Sequence, residues 1–589
     1  MKRRNITAIA EEFRNEAVVP FWMWNDKLER KKLSLQLQEI KERGMNQVII
    51  HPRFGLETPY LSEKWFEMME FVINEARKNG MKLWIYDELN WPSGYAGGEV
   101  LKKNPELCAK HLVHSAEGYK VKHTSWKPAY SEDRYIDVLN PEATDSFIKI
   151  VHDEYWHRFG KHFGDTILGF FTDEPGMYNN FANSDSGSIP WTDKLPTFFE
   201  ALNGYPLEPV LDFIFETEGQ KTVEARNDYW NTVSHLYQES YFKRLQEWCH
   251  KKGVAFIGHV LMEEDMVNTV KTQGNFFATM EYLDFAGYDL LGRLEPKALI
   301  AAKLASSASK VYNLYGVTAE TFGIFGWNLT EAEMERVVEW QAEQGLDVLI
   351  PHALYYSLRG ERYNDCPPSF MAEKYWSRFD KFVKSSREKL ATKNNRRTSV
   401  AIYYPIETVW GYLSPDNTMD AEKVDYAFQT ASYACSNIDV DFNYLPASSL
   451  IDDELLNYRF LILPKTEVLS LSVMKKIGKF VKTGGKVICI GGSPKFANKV
   501  SEQIAVEKLW KKIKSLTIFI DLQSQSSGQL FLKQIKSNIK NFLQQTLPLI
   551  WLARGMRLAK KLGYERSVGV NQITGIELQL KSILKTDSK

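Results

Sequence analysis

The chain has no charge of one sign to spare: 74 Lys and Arg balance 74 Asp and Glu over 589 residues, with a pI near 7.2. A protein that binds a polyanion along its length needs a basic surplus, so no nucleic-acid partner is expected. Cysteine is scarce. The five present (Cys108, Cys249, Cys366, Cys435, Cys489) include no Cys-x-x-Cys pair. That argues against a zinc ribbon or a redox dithiol, and the density is too low for a disulfide scaffold. Long hydrophobic runs are missing too: none approaches the ~18 residues of a membrane span. The opening MKRRNITAIAEEFRNEA starts basic but has no apolar h-region. No signal peptide is read there. The expectation is a cytoplasmic protein, periplasmic or secreted if a leader precedes this sequence.

What is present is ordinary for a globular protein, with 44% hydrophobic and 25% charged residues. The charge balance hides an asymmetry. Residues 501–589 hold 15 Lys/Arg against 6 Asp/Glu, so the first 500 are mildly acidic and the tail is basic. The basic surplus of the tail is read as solvated surface rather than a nucleic-acid patch.

Short apolar runs alternate with amphipathic helices. The runs are 18–24 (VVPFWMW), 47–51, 83–87, 167–172, 255–260, 283–289, 317–322 and 348–352. Near-continuous apolar strands read as parallel strands buried on both faces. The helices between carry caps: Ser62 before one, Asn140-Pro141 before another, and Thr330 with Glu333 as a capping box. Eight such units predict an α/β fold, a (β/α)₈ TIM barrel over residues 1–390. Were one strand miscounted, an open doubly wound sheet would be the alternative. Two insertions are expected, a β-hairpin excursion at 110–139 and a polar loop at 176–192.

A second pattern begins near Arg397, where TSVAIYYP, RFLILPK and GKVICIGG read as buried strands. Residues 391–500 are therefore expected to form a smaller α/β domain of flavodoxin or amidotransferase-like type. A nucleophile elbow needs Cys or Ser at the turn, but Cys489 lies inside its strand and the turn is Gly491-Gly492-Ser493. A structural role, or homo-oligomer formation, is expected of this domain. Residues 501–589 are set apart as a segment of unknown structure, read as a truncated domain.

Barrel enzymes place their chemistry at the C-terminal ends of strands. The ends of the eight runs give Asn25, then His51 and Arg53, then Asp87 and Glu88 with Trp91. The remainder give Asp173 and Glu174, His259, Asp289, Glu320, and His352 with Tyr355. No lysine stands at a strand end, which disfavours a Schiff-base aldolase. The first strand ends in Trp-Asn, not the His-x-His of a metal-dependent amidohydrolase. Paired carboxylates with aromatic platforms remain, and these are the equipment for cleaving glycosidic bonds. Thirteen of the 16 Trp precede residue 380, in keeping with a sugar cleft in the barrel. Glu174 and Glu320, ending the fourth and seventh strands, are the expected catalytic pair. His51, Arg53, Asp87, Glu88, Trp91, Asp173, His259, Asp289, His352 and Tyr355 are the expected substrate contacts. Metal ligands are not expected among them. A sugar-binding protein without activity, or a metal-dependent lyase, are the rival classes.

The segments PFWMWND, HPRFGLETPYLSEKW, YDELNWPSGYAGG, LNPEAT, FFTDEPGMY, AETFG and HALYYSLRGERYNDCPPS resemble, over residues 15–380, the barrel of α-L-rhamnosidase-type enzymes of glycoside hydrolase family 106 and relatives. The second domain resembles the amidotransferase-like domain behind the barrel of some β-galactosidases. The resemblance implies a glycosidase acting on oligosaccharides or glycosides in polysaccharide degradation. It implies Glu174 at the acid position and Glu320 as base or nucleophile. A retaining β-galactosidase-like enzyme is the second choice. An inverting mechanism and a bound calcium ion are also implied by the resemblance, although no dense run of oxygen ligands is visible.

Overall fold

The computed structural model describes residues 5–522 except 129, 179–186, 216–217, 293, 295, 361–364, 393–397 and 452, together with 576–577, 579–581 and 583. Strands form where the apolar runs lie. β1 (Phe21–Trp24), β2 (Gln47–Pro52), β3 (Lys82–Tyr86), β4 (Ile167–Asp173) and β5 (Ala255–His259) pair in that order, all parallel. β6 (Ala286–Leu290), β7 (Val317–Thr321) and β8 (Val348–Pro351) form a second parallel set.

Two seams close these sets into a barrel. At one, Asp284 N–H donates to Phe256 O at 2.9 Å. The backbones approach so closely there that a Cβ on Gly287 would stand 1.7 Å from Gly258 O, so only glycine fits. At the other seam Val19 N–H donates to Leu349 O at 2.9 Å, and Leu354–Tyr355 runs parallel to β1. The eight-stranded barrel expected from the sequence is formed.

Side chains alternate across each strand. On β1 Phe21 and Met23 fill the barrel while Trp22 and Trp24 join the outer core against the helices; on β2 Ile49 faces in and Val48 and Ile50 out. The helix Ile6–Glu16 plugs the N-terminal end, where Phe13 meets Trp84 and Phe285 at ring-centroid distances of 4.4 and 5.2 Å. With that end filled, the C-terminal mouth is where a ligand can enter.

The first insertion is the expected hairpin, Lys110–Ser115 against Gly118–His123. Ser188–Trp191 adds a third strand to it, inside the stretch read as loop. That strand is short and contains Pro190, which an edge strand tolerates and which masks it in sequence. The rest of that loop, 179–186, lies outside the described residues.

The second unit is one parallel sheet of β9 (Val400–Tyr403), β10 (Phe442–Leu445), β11 (Phe460–Pro464), β12 (Lys486–Ile490) and β13 (Thr517–Ile520). The strand order is β10-β9-β11-β12-β13, a doubly wound arrangement. The boundary placed at residue 500 is too early. The helix Gln503–Ile513 buries Val506, Trp510 and Ile513, and β13 completes the sheet. Exposed Lys508, Lys511, Lys512 and Lys514 around those three residues hid the helix inside the basic composition of the tail. Most of the segment set apart as 501–589 lies outside the described residues. No helix among the described residues is long and apolar enough to cross a membrane.

Candidate active site

A cavity of about 310 Å³ opens at the C-terminal mouth of the barrel. Seven residues picked from the sequence line it: Arg53, Trp91, Asp173, Glu174, Asp289, Glu320 and His352. They meet because parallel strands in register carry their last residues to one level. Asp173 of β4 stands beside His259 of β5, and Asp289 of β6 beside Glu320 of β7. His259 lies at the centre. Its Nε2 is 3.9 Å from Glu174 Oε1 and 3.8 Å from Glu320 Oε2. Asp173 Oδ1 lies 3.1 Å from the same nitrogen but off the line of a hydrogen bond, so that nitrogen has no hydrogen-bond partner. His352 Nε2 approaches Glu320 Oε1 at 4.0 Å.

Glu174 follows the last residue of β4 and holds φ 46°, in the left-handed region. That conformation costs roughly 1–2 kcal/mol for a side chain other than glycine. Its surroundings fix it. Glu174 N–H donates to His259 O at 3.2 Å, and Tyr178 O–H donates to Glu174 O at 2.7 Å. The strained turn aims the carboxyl into the cavity instead of along the strand.

Burial dominates the electrostatics, because a low-dielectric site disfavours every charged form. It pushes Glu174 and Glu320 well above the usual carboxyl range, and their acidic neighbours add to the shift. For Glu174 the neighbours are Asp173, Glu263, Glu320 and Glu264. Asp289 rises for the same reasons. Asp173 is held lower, at about 6, by the Tyr86 hydroxyl 2.5 Å away and by Arg53. Arg53 also draws Glu320 down, whereas the strongest influences on Glu174 after burial are all carboxyls. Burial lowers His259 and His352 to about 3, so both imidazoles are uncharged at neutral pH. The arrangement can hold a proton on Glu174 while negative charge settles on Asp173, which is held lower.

The other expected contacts lie behind the cavity lining. His51 stacks on Tyr86, with centroids 3.5 Å apart, and its Nδ1–H donates to Pro52 O. Glu88 is fully buried, and its carboxylate accepts backbone N–H groups of Leu89, Gly94, Tyr95, Ala96 and Gly97. Asp87 accepts from Ser93 Oγ, which itself accepts from Asp173 N–H at 2.8 Å. Asp87 and Glu88 therefore shape the loop that holds Asp173 and do not stand in the cavity. Tyr355 O–H donates to Asp365 O, again behind the lining.

Sequence reasoning missed several residues. Asp365 binds Arg53 Nε at 2.6 Å and accepts from Tyr130 O–H at 2.9 Å. Trp126, from the hairpin insertion, stacks on Tyr178 at 4.0 Å and 7°. Asp365 and Tyr178 sit in segments that carried the family resemblance, but no spacing marks a residue that a loop carries in. A further missed element is the helix Met266–Gln273. Thr269 Oγ1 and Gln273 Nε2 hold the carbonyls of Met262 and Leu261, both lining residues. Thr272 O accepts Met177 N–H on the Glu174 loop at 2.8 Å. The second unit clamps both ends of this helix: Asp425 Oδ1 accepts Met266 N–H, and Trp410 Nε1–H donates to Gly274 O.

Two groups of side chains converge closely enough to face a cation: Asp173, Glu174 and His259, and His259, Asp289 and Glu320. Calcium takes six to eight oxygen ligands. Each group brings two carboxylates and an imidazole nitrogen, a donor that a hard cation does not favour, so neither group by itself fits calcium.

Comparison with known proteins gives the fold and the family. The chain aligns with a protein of Formosa agariphila named "Putative beta-glucuronidase", 21% identical over 416 residues, covering 66% of this chain and 32% of that protein. The chain thus spans about a third of that relative's length. Among solved structures, a rhamnosidase from Novosphingobium sp. PP1Y superposes with a TM-score of 0.58 at 11% identity, covering 91% of this chain and 75% of that one. A beta-galactosidase from Bacillus circulans sp. alkalophilus also gives 0.58, at 13% identity, covering 83% and 73%. These likenesses show the fold. The model of glycoside hydrolase family 106, alpha-L-rhamnosidase, matches residues 117–531, and the chain belongs to that family.

Proposed function

We propose that the protein is a glycosidase of α-L-rhamnosidase type, with Glu174 as general acid and Glu320 as base or nucleophile. One observation carries the reading: both carboxyls reach the same uncharged imidazole nitrogen from opposite strands, within one cavity of pyranose size. Glu174 keeps its proton and donates it to the leaving oxygen. Glu320 acts in its ionised form, which Arg53 favours against the upward push of burial, to attack the anomeric carbon or activate a water. Arg53 is itself paired to Asp365 and so stays fixed. The second unit is read as an amidotransferase-like module without its own chemistry. Cys489 is buried inside β12, where no substrate reaches it.

The test is a panel of p-nitrophenyl glycosides that includes the α-L-rhamnoside, β-D-galactoside and β-D-glucuronide. Turnover of the rhamnoside, lost by orders of magnitude in Glu174→Gln and in Glu320→Gln, is expected. Turnover of the galactoside alone would support the retaining β-galactosidase-like reading. Sugar binding with no turnover in the native protein would leave a carbohydrate-binding protein on this barrel.

A further inference from the structure

We infer that Ser93 is a positioning residue for the segment Asp173-Glu174, and that the stretch from Tyr86 to Gly98 is the frame that carries it there. The inference rests on the glycosidase reading above, in which Glu174 is the acid. It starts from a replacement in the sheet. β3 and β4 run parallel with Tyr86 beside Phe171, and Asp87 N–H donates to Phe171 O at 3.1 Å. One step further, that register would offer the Asp87 carbonyl to Asp173 N–H and the Leu89 N–H to Asp173 O. The chain leaves the sheet first. Leu89 N–H turns to the Glu88 carboxyl at 2.8 Å, and Asn90, at φ 63°, donates its N–H to Pro52 O.

Ser93 fills both places. Its N–H donates to Asp173 O at 2.8 Å, and its Oγ accepts from Asp173 N–H at 2.8 Å. One loop residue thus stands in for two residues of a strand. The hydroxyl hydrogen points the other way, to Asp87 Oδ1 at 2.5 Å. Glu88 sets the return of the loop: its Oε2 accepts from the N–H groups of Gly94, Tyr95 and Ala96, the three residues after Ser93. At the other end of the frame Tyr86 O–H holds the Asp173 carboxyl. Ser93 is fully buried and is not among the residues that line the cavity, so its part is to position and not to react.

What Ser93 holds decides where the acid points. Asp173 is the last residue of β4, and Glu174 turns out of the strand at φ 46°. A strained turn persists only where its neighbours over-determine it. On the β5 side Glu174 N–H is bound to His259 O, and on the β3 side Ser93 binds both backbone groups of Asp173. Without the hydroxyl, Asp173 N–H becomes a buried donor with no acceptor, a cost that a small rotation of the peptide relieves. The rotation passes to Glu174, and a misplacement of about 1 Å at a reacting group can cost about 10²-fold in rate.

The test compares native and Ser93→Ala proteins on methyl and dinitrophenyl α-L-rhamnosides. The first needs a proton on its leaving oxygen and the second does not. For the methyl glycoside kcat/KM should fall by about 10²-fold, mostly in kcat, and for the dinitrophenyl glycoside by less than about tenfold. In Asp87→Asn the amide oxygen can still accept from the Ser93 hydroxyl, so its ratio of the two rates should lie closer to native than that of Ser93→Ala. Hydrogen exchange supplies a reading that needs no turnover: in Ser93→Ala it should quicken at 173–177 and stay as it was in β7 and β8. Equal losses on both substrates, or exchange at 173–177 that does not change, would overturn the inference. A native protein that hydrolyses neither glycoside would defeat the glycosidase reading instead, and exchange alone then decides whether Ser93 holds this segment.

Discussion

Glu174 and Glu320 converge on one nitrogen, His259 Nε2, at 3.9 and 3.8 Å. The two oxygens are then no more than about 8 Å apart, close enough for both to reach one glycosidic bond. Burial is common to both; beyond it, Arg53 draws Glu320 down, while the strongest influences on Glu174 are carboxyls that push it up.

The acid and its partner can be told apart by leaving group. A general acid matters most when the leaving oxygen is strongly basic, and removing one typically costs 10²–10⁴-fold. Glu174→Gln should therefore lose orders of magnitude on an alkyl glycoside but much less on a dinitrophenyl glycoside, whose phenolate leaves unaided. Glu320→Gln should lose both rates alike. Steady-state kcat/KM on the two substrates checks this, and a reversed pattern exchanges the roles.

Arg53→Met tests how the negative charge is placed. Removing one partner of the buried Arg53–Asp365 pair leaves the other unpaired, a change worth about 3–5 kcal/mol of stability. Paired replacement with Asp365→Asn should recover part of it. In either protein Glu320 loses the cation that lowers its affinity for a proton. Because Glu320 must be ionised to act, the acidic limb of the pH–rate profile should move to higher pH. An unmoved limb would show that Arg53 does not set the charge on Glu320.

The barrel was legible because its signal is local. Each strand is an apolar run ended by a polar residue, as in ILGFF followed by Thr172-Asp173-Glu174, and each helix begins at a readable cap such as Ser62 or Thr330. The carboxyls that line the cavity were legible for the same reason. Asp87 and Glu88 look like substrate contacts in sequence because they follow β3, yet the next loop folds back and binds Glu88 with its N–H groups and Asp87 Oδ1 with the Ser93 hydroxyl. Asp365, Trp126 and the helix Met266–Gln273 reach the site by tertiary contact, which leaves no spacing to read.

That helix carries a third prediction. Trp410→Phe keeps the ring and removes only the N–H donated to Gly274 O at 3.0 Å. The second unit then loses one of its two holds on the helix that braces Leu261, Met262 and the Glu174 loop. Hydrogen exchange should quicken in 261–274 and in 174–177, with the outer barrel helices unaffected, and kcat should fall more than KM rises. Exchange that quickens evenly over the whole chain would indicate a general loss of stability and no special link to the acid.

The last prediction concerns pH and stability. A carboxyl that burial raises stays protonated in the folded protein after the unfolded chain has ionised. Below the unfolded value, 4.5 for Glu174, both states are protonated and the group contributes nothing. As pH rises past that point the unfolded chain releases its proton and the folded one retains it, so the folded state loses stability until the folded value is passed. Glutamine does not ionise and is spared this. Glu174→Gln should melt close to the native protein near pH 4 and increasingly above it toward pH 7. Asp173 supplies the scale. Its rise from 3.8 to about 6 corresponds to a loss of roughly 3 kcal/mol, complete just above pH 6. Thermal melts of the native and glutamine proteins across pH 4–8 give the difference directly. A gap that stays constant with pH would mean that Glu174 is ionised in the folded site and holds no proton to give.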